Sequence, residues 1–179
     1  MTDISGKTVA FLVAAEGIEQ VELTEPWKAV EEAGGTPTLL SPESGEVQAF
    51  NHLDKADTFP VDVPVSEANV DEYDALVLPG GVANPDALRM DKGAVDFLKA
   101  FWATGKPVAA ICHAPWSLVE AGVLKGKTLT SWPSLQTDLR NAGATWVDEE
   151  VVVDGHLITS RNPGDLPVFN SRLLESLSR

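Results

Sequence analysis

A chain of 179 residues with 44% hydrophobic content is long enough for one domain with a real core and too short for two comfortable ones. The formal net charge is −14, from 27 acidic residues against 13 Lys and Arg; that sign excludes the basic footprint needed by a nucleic-acid binder or a protein held on an anionic membrane. The single cysteine, Cys112, excludes an internal disulfide and a cysteine-rich zinc site.

The start, MTDISGKTVAFLV, has neither the basic segment nor the small-residue cleavage site of a secretion signal. Its apolar run from Val9 to Ala15 is too short to span a bilayer, so a cytoplasmic address is expected. Thr8 to Ala14 (TVAFLVA) reads as a strand buried on both faces. Glu19 to Ala33 has helical spacing: Val21, Leu23, Trp27 and Val30 fall near one side, and Gly34-Gly35 stops the helix. Pro26 lies inside that stretch, so the helix either kinks or begins there. Thr36 to Leu40 is a second strand. Residues 43–72 are polar, acidic and broken by Pro60 and Pro64; irregular structure is expected, with short strands near Val47–Phe50 and Thr58–Val63.

Regular order returns with a strand at Ala75–Leu78, followed by Pro79-Gly80-Gly81. An amphipathic helix spans Lys92–Thr104, a buried strand Val108–Ile111, and a helix Pro115–Ala121 that stops at Gly122. A short strand at Leu129–Ser131 and a helix at Pro133–Ala142 follow. Val151–Val153 and Leu157–Thr159 flank Asp154-Gly155, a favoured hairpin turn. The last helix runs from about Leu166 to Leu177. Strand–helix alternation of this kind predicts one α/β domain, a parallel sheet between helices with an antiparallel hairpin at one edge.

Cys112 sits at the carboxyl end of the 108–111 strand, with a helix starting within about three residues, which is where α/β sheets gather reactive groups. A sharp strand-to-helix turn holds such a residue above the sheet, as in a nucleophile elbow. The helix N-terminus should favour thiolate over thiol. The bland alternative is a small buried hydrophobe. His113 follows directly; adjacent side chains in a tight turn usually point apart, and a helix N-terminal histidine bonded to solvent is its bland alternative. Gly80-Gly81 could let backbone N–H groups approach a ligand as an oxyanion site requires, or could be a plain turn. Glu16, Glu19 and Glu22 follow the first strand, and spacing alone does not say which lies against the cysteine.

Four segments, "DALVLPGG" (74–81), "GKPVAAICHAPW" (105–116), "TSWPSLQTDLRNAG" (130–143) and "WVDEEVVVDG" (146–155), in order and in register, together resemble the PfpI family. These are the intracellular-protease-like members of the Parkinson-associated deglycase superfamily, related to class I glutamine amidotransferases. "PGGVANPDALR" and "TSWPSLQTD" are most similar to its bacterial general-stress branch. The resemblance implies a single domain over residues 1–179 with a flavodoxin-like sheet sandwiched by helices and a cysteine nucleophile elbow. It implies that Cys112 is the nucleophile and that Glu22 hydrogen-bonds its sulfur, which requires a protonated or proton-sharing carboxyl. Gly81 and the His113 N–H match the oxyanion donors. His113 matches the proposed base, oriented in trans by an acid at the position of Asp86 from a neighbouring subunit.

The chain departs from many relatives in having Ala114 where they have Gly, and from the archaeal protease branch in having Asp86 in place of a longer glutamate, with the extra residue Asn84 before Pro85. Trp116 and Trp27 either wall the pocket or pack ordinarily. His52 could approach the pocket, and His156 should face solvent. No cofactor and no metal are expected. The resemblance further implies a homodimer or a higher homo-oligomer acting on a small carbonyl or peptide-like substrate. Three functions are consistent with this. One is a cysteine-dependent enzyme of glyoxalase, deglycase or peptidase type. The second is a redox-sensing stress protein whose Cys112 oxidises to sulfinate with little turnover. The third is a holdase-like dimer.

Overall fold

The computed structural model describes residues 2–179. In chain order the elements are β1 (Thr8–Leu12), β2 (Glu16–Glu19), α1 (Gln20–Glu32), β3 (Thr36–Ser41), β4 (Glu46–Asn51), β5 (Asp54–Pro60), β6 (Val63–Pro64) and β7 (Ala75–Leu78). There follow α2 (Ala83–Leu88), α3 (Lys92–Ala103), β8 (Val108–Ile111), α4 (Pro115–Ala121), β9 (Thr128–Leu129), α5 (Gln136–Asn141) and β10 (Thr145–Trp146). The chain ends with β11 (Val152–Asp154), β12 (Leu157–Ser160) and α6 (Leu166–Leu177).

Seven strands form the main sheet in the order β11-β12-β8-β7-β1-β3-β6. All its pairings are parallel except β11 with β12. Without the two edge strands this is the 2-1-3-4-5 winding of flavodoxin-like folds, with the order reversing between β1 and β7. β7 and β8, at the centre, are apolar at every position because they are covered on both faces. Register sorts the side chains into two layers. Leu39, Phe11, Val77, Ala109 and Ile158 pair in one row and pack beneath α1 and α6 with Leu23, Val30, Phe169 and Leu173. The row Ala10, Leu76, Val108 and Leu157 meets Phe97 and Phe101 of α3 and Leu118 of α4.

The structure changes several expected details. Residues 43–72 are not mainly irregular: β4 and β5 form an antiparallel hairpin that joins β2 in a second, three-stranded sheet. Val47 and Ala49 are its fully buried residues, while most of β5 is exposed, so the strand's polar outer face hid its period. The first strand ends at Leu12, and Glu19, expected as the first helical residue, instead closes the extended segment Glu16–Glu19. The helix α1 begins at Gln20, ahead of Pro26, and runs through it. The expected strand at 129–131 is β9, which pairs with β10 in a separate two-stranded sheet rather than joining the main one. Pro133–Leu135 is a 3-10 turn ahead of α5. The edge hairpin turns at Gly155-His156, since Asp154 already pairs with Leu157. Among the described residues no helix is long and apolar enough to cross a membrane.

Candidate active site

Cys112 directly follows β8 and takes φ = 63°, one of two non-glycine residues with positive φ among those described. That left-handed conformation is costly for a side chain and persists only where the surroundings dictate it. Three backbone bonds dictate it here. The Cys112 N–H donates to Ser160 O at 3.0 Å, Trp132 N–H donates to Cys112 O at 2.9 Å, and Ala114 N–H donates back to Ile111 O at 3.1 Å. Ala114 itself is right-handed helical (φ −54°, ψ −32°), so the methyl that replaces the family's glycine costs nothing in backbone strain.

The Gly80-Gly81 turn that follows β7 lies against this elbow. A Cβ on Gly80 would stand 2.5 Å from Glu22 Oε1 and 2.7 Å from Cys112 Cβ. On Gly81, whose φ is +86°, it would overlap the Gly17 carbonyl. Only glycine lets these segments meet. Asn84 fastens them. Its side chain accepts from Ala14 N–H at 2.7 Å and donates to the carbonyls of Pro79 (2.9 Å) and Gly80 (3.1 Å), and the residue is 1% exposed. The extra residue noted in the sequence is thus a tie between the ends of β1 and β7.

The structure brings Glu22, Cys112, His113 and Gly81 together. Glu22, in the first turn of α1, is fully buried, and neither carboxyl oxygen makes a well-aligned hydrogen bond. Its nearest polar neighbours are the backbone N–H groups of Gly80 and Gly81 and the Cys112 thiol. Burial, with the nearby Glu19 charge second, pushes its pKa from 4.5 up to about 8, so Glu22 holds a proton at neutral pH. The Cys112 thiol moves opposite to the expected direction: burial first and the Glu22 charge second push it up. The N–H groups of Gly81 and His113 face the sulfur and favour thiolate, but they do not outweigh those two effects.

His113 and Cys112 do not point apart: Sγ lies 3.0 Å from His113 Nδ1. The imidazole is held between two indoles, stacked on Trp132 (centroids 5.7 Å, planes at 21°) and edge-on to Trp116 (5.3 Å, 61°). Burial lowers its pKa, so the ring is neutral at pH 7. In the tautomer protonated at Nε2, Nδ1 accepts the thiol hydrogen.

These groups open into a cavity of about 650 Å³. Asp86, on α2, is exposed and lines the mouth of the same chain's cavity. The hairpin tip between β4 and β5 forms another wall, with His52 at φ = 58° and its N–H donating to Glu19 Oε2 at 3.1 Å. Phe50, Leu53 and Trp132 also line it and were missed in the sequence; the signal for Trp132 was its place in the TSWPS segment. Trp27 does not wall this cavity. It packs on Phe11 with centroids 5.1 Å apart, because α1 turns that face toward the sheet. Trp116 buttresses His113 from outside the lining and donates its Nε1–H to Asp138 at 2.9 Å. His156 does not simply face solvent: its ring lies 4.4 Å from that of Trp102, with Nε2 buried.

A cysteine on a strained turn at the carboxyl ends of a 2-1-3-4-5 sheet, beside a protonated carboxyl and a neutral imidazole, has the geometry of an α/β nucleophile elbow. The chain belongs to the DJ-1/PfpI family, which it matches over residues 7–176. It is 44% identical over 158 residues to the deglycase PfpI of Pyrococcus furiosus, covering 88% of this chain and 92% of that one. It is 42% identical over 175 residues to general stress protein 18 of Bacillus subtilis, covering 97% and 99%. The crystal structure of Drosophila melanogaster DJ-1beta superposes with a TM-score of 0.87 at 32% identity, covering 96% of this chain and 90% of that one.

Proposed function

We propose that this protein is a cytoplasmic stress-response enzyme in which Cys112 attacks the carbonyl carbon of small reactive carbonyl compounds. The observation that carries the reading is the 3.0 Å contact between Cys112 Sγ and His113 Nδ1, in a cavity whose floor holds the protonated Glu22. The deglycase name of the Pyrococcus furiosus relative supports the same class of chemistry.

With the thiol held above its ordinary pKa, attack and deprotonation occur together. Sγ bonds the aldehyde carbon, the thiol proton passes to His113 Nδ1, and the carbonyl π pair moves to oxygen. The N–H groups of Gly81 and His113 receive the developing oxyanion. For methylglyoxal, a proton shift from the former aldehyde carbon to its neighbour, carried by His113 and Glu22, gives a thioester of a 2-hydroxy acid. Water then cleaves the thioester and regenerates the thiol. The sum is methylglyoxal plus water to lactate, with no outside oxidant. Asp86 is proposed to orient His113 of a neighbouring copy in a homodimer or larger ring.

Methylglyoxal consumption should be followed with wild type and Cys112→Ser, with intact mass recorded before and after mild peroxide. Multiple turnovers by wild type and none by the variant are expected. Absence of turnover, with a clean two-oxygen adduct at Cys112, would overturn the enzymatic reading in favour of redox sensing through a sulfinate.

A further inference from the structure

A three-carbon aldehyde occupies only a small part of a cavity of about 650 Å³, so the cavity has room for a substrate with a further group beside its reacting carbon. What that group meets is one-sided. The lining carries the acids Glu16, Glu19 and Asp86 beside the protonated Glu22, and among the described residues it includes no Lys or Arg, although the chain has 13 of them. The other titratable lining groups besides Cys112 are the buried His113 and His52, largely exposed at the hairpin tip, whose Nδ1 lies 3.9 Å from Glu19 Oε1 and offsets that acid only when the ring is protonated. Glu22 is a fully buried carboxyl with both oxygens unpartnered, and it lines the same space. The remaining walls, Phe50, Val82 and Trp132 among them, are apolar and make no ion pair with these acids.

We propose that the cavity sorts its electrophiles by charge, admitting neutral and positively charged ones and repelling those that carry a carboxylate, sulfonate or phosphate, with Glu16 and Glu19 as specificity-determining residues. The inference rests on Cys112 being the reactive group, as in the proposed function. A concave, low-dielectric wall of one sign concentrates counter-charged ligands and excludes like-charged ones.

Methanethiosulfonates test this without turnover. The Cys112 sulfur bonds the reagent's sulfenyl sulfur, the reagent's S–S bond breaks and methanesulfinate leaves. Because Cys112 is the only cysteine, the rate reads this cavity alone. Rates are measured with the cationic trimethylammonium-ethyl reagent and the anionic sulfonato-ethyl reagent. Their ratio is divided by the same ratio on 2-mercaptoethanol, which cancels intrinsic reactivity and the thiolate fraction. The wild type should favour the cation by about 30-fold or more after this correction, and Glu16→Gln with Glu19→Gln should lower the preference about tenfold. If the double variant folds poorly, Glu16→Gln alone, at an exposed position, should lower it about threefold. A corrected ratio near one in wild type, or no change in the variants, overturns the proposal. A charge preference without methylglyoxal turnover leaves the selection standing and overturns the enzymatic reading; turnover with a ratio near one does the reverse.

Discussion

Glu22 retains a proton across a range in which an exposed glutamate has lost it, and this couples the site to folding. Its pKa rises from 4.5 to about 8 on folding, so between those values the folded state binds one proton more than the unfolded state. Stability must therefore fall as pH rises through that window, by about 1.4 kcal/mol per unit for a single group. A buried glutamine has no such proton. From pH 5.5 to 7.5, wild type should lose about 2–3 kcal/mol relative to Glu22→Gln, read by urea unfolding at the two pH values. Burial lowers the pKa of both His113 and His156, which gives the opposite slope below their unfolded pKa, but that contribution is common to both proteins and cancels in the comparison. The raised Cys112 thiol acts only at higher pH. Equal pH slopes for the two proteins would remove the protonated carboxyl from the account.

The elements that place Glu22 and Cys112 are held by side chains that look incidental in the sequence. Asn84 shows this most clearly. Its amide satisfies one buried N–H of Ala14 and the carbonyls of Pro79 and Gly80. Asn84→Ala leaves the Ala14 N–H and the Pro79 carbonyl without this partner in a dry site, while the Gly80 carbonyl keeps the Glu19 N–H at 3.3 Å; such losses cost about 1–3 kcal/mol for each unsatisfied group. We expect a stability loss of about 2–4 kcal/mol by urea unfolding, together with lower turnover as the Gly80-Gly81 turn loosens. A loss under about 1 kcal/mol would mean that water replaces the amide. The sequence showed the main sheet and the elbow because two-sided burial writes unbroken apolar runs, as in Ala75–Leu78 and Val108–Ile111, and because glycines stop the helices. It marked Cys112, His113, Glu22 and Gly81 as candidates through the resemblance to the family. It did not show the β4–β5 hairpin, whose outer face is polar. Nor did it show that Sγ would touch its neighbour's ring, which depends on the left-handed φ at Cys112 and on two indoles that come from different segments.

The molecule as a whole is strongly acidic, with a net charge of −14, so copies repel one another at long range and association must come from apolar surface. Along α2 and its flanks, Val82 is 58% exposed and Met90 85%, with the exposed Asp86 between them at helical spacing. Val82 also borders the cavity mouth, as does Leu53, which is 94% exposed. A second copy seated on this stripe would bring its own Asp86 toward the first copy's cavity, as the proposed trans orientation of His113 requires. Complementation tests this directly. Cys112→Ser and Asp86→Asn should each be inactive alone, or nearly so. In a mixed dimer, the chain with the intact cysteine is served by Asp86 from the Cys112→Ser chain, so one site of two is whole. Random pairing makes about half the dimers mixed, so co-refolding equal amounts should restore about a quarter of wild-type turnover per subunit. Moderate salt should favour the association by screening the like charges. A mixture no more active than the sum of its parts, or an Asp86→Asn protein as active as wild type, would confine the working site to one chain and leave Asp86 to the cavity's charge alone.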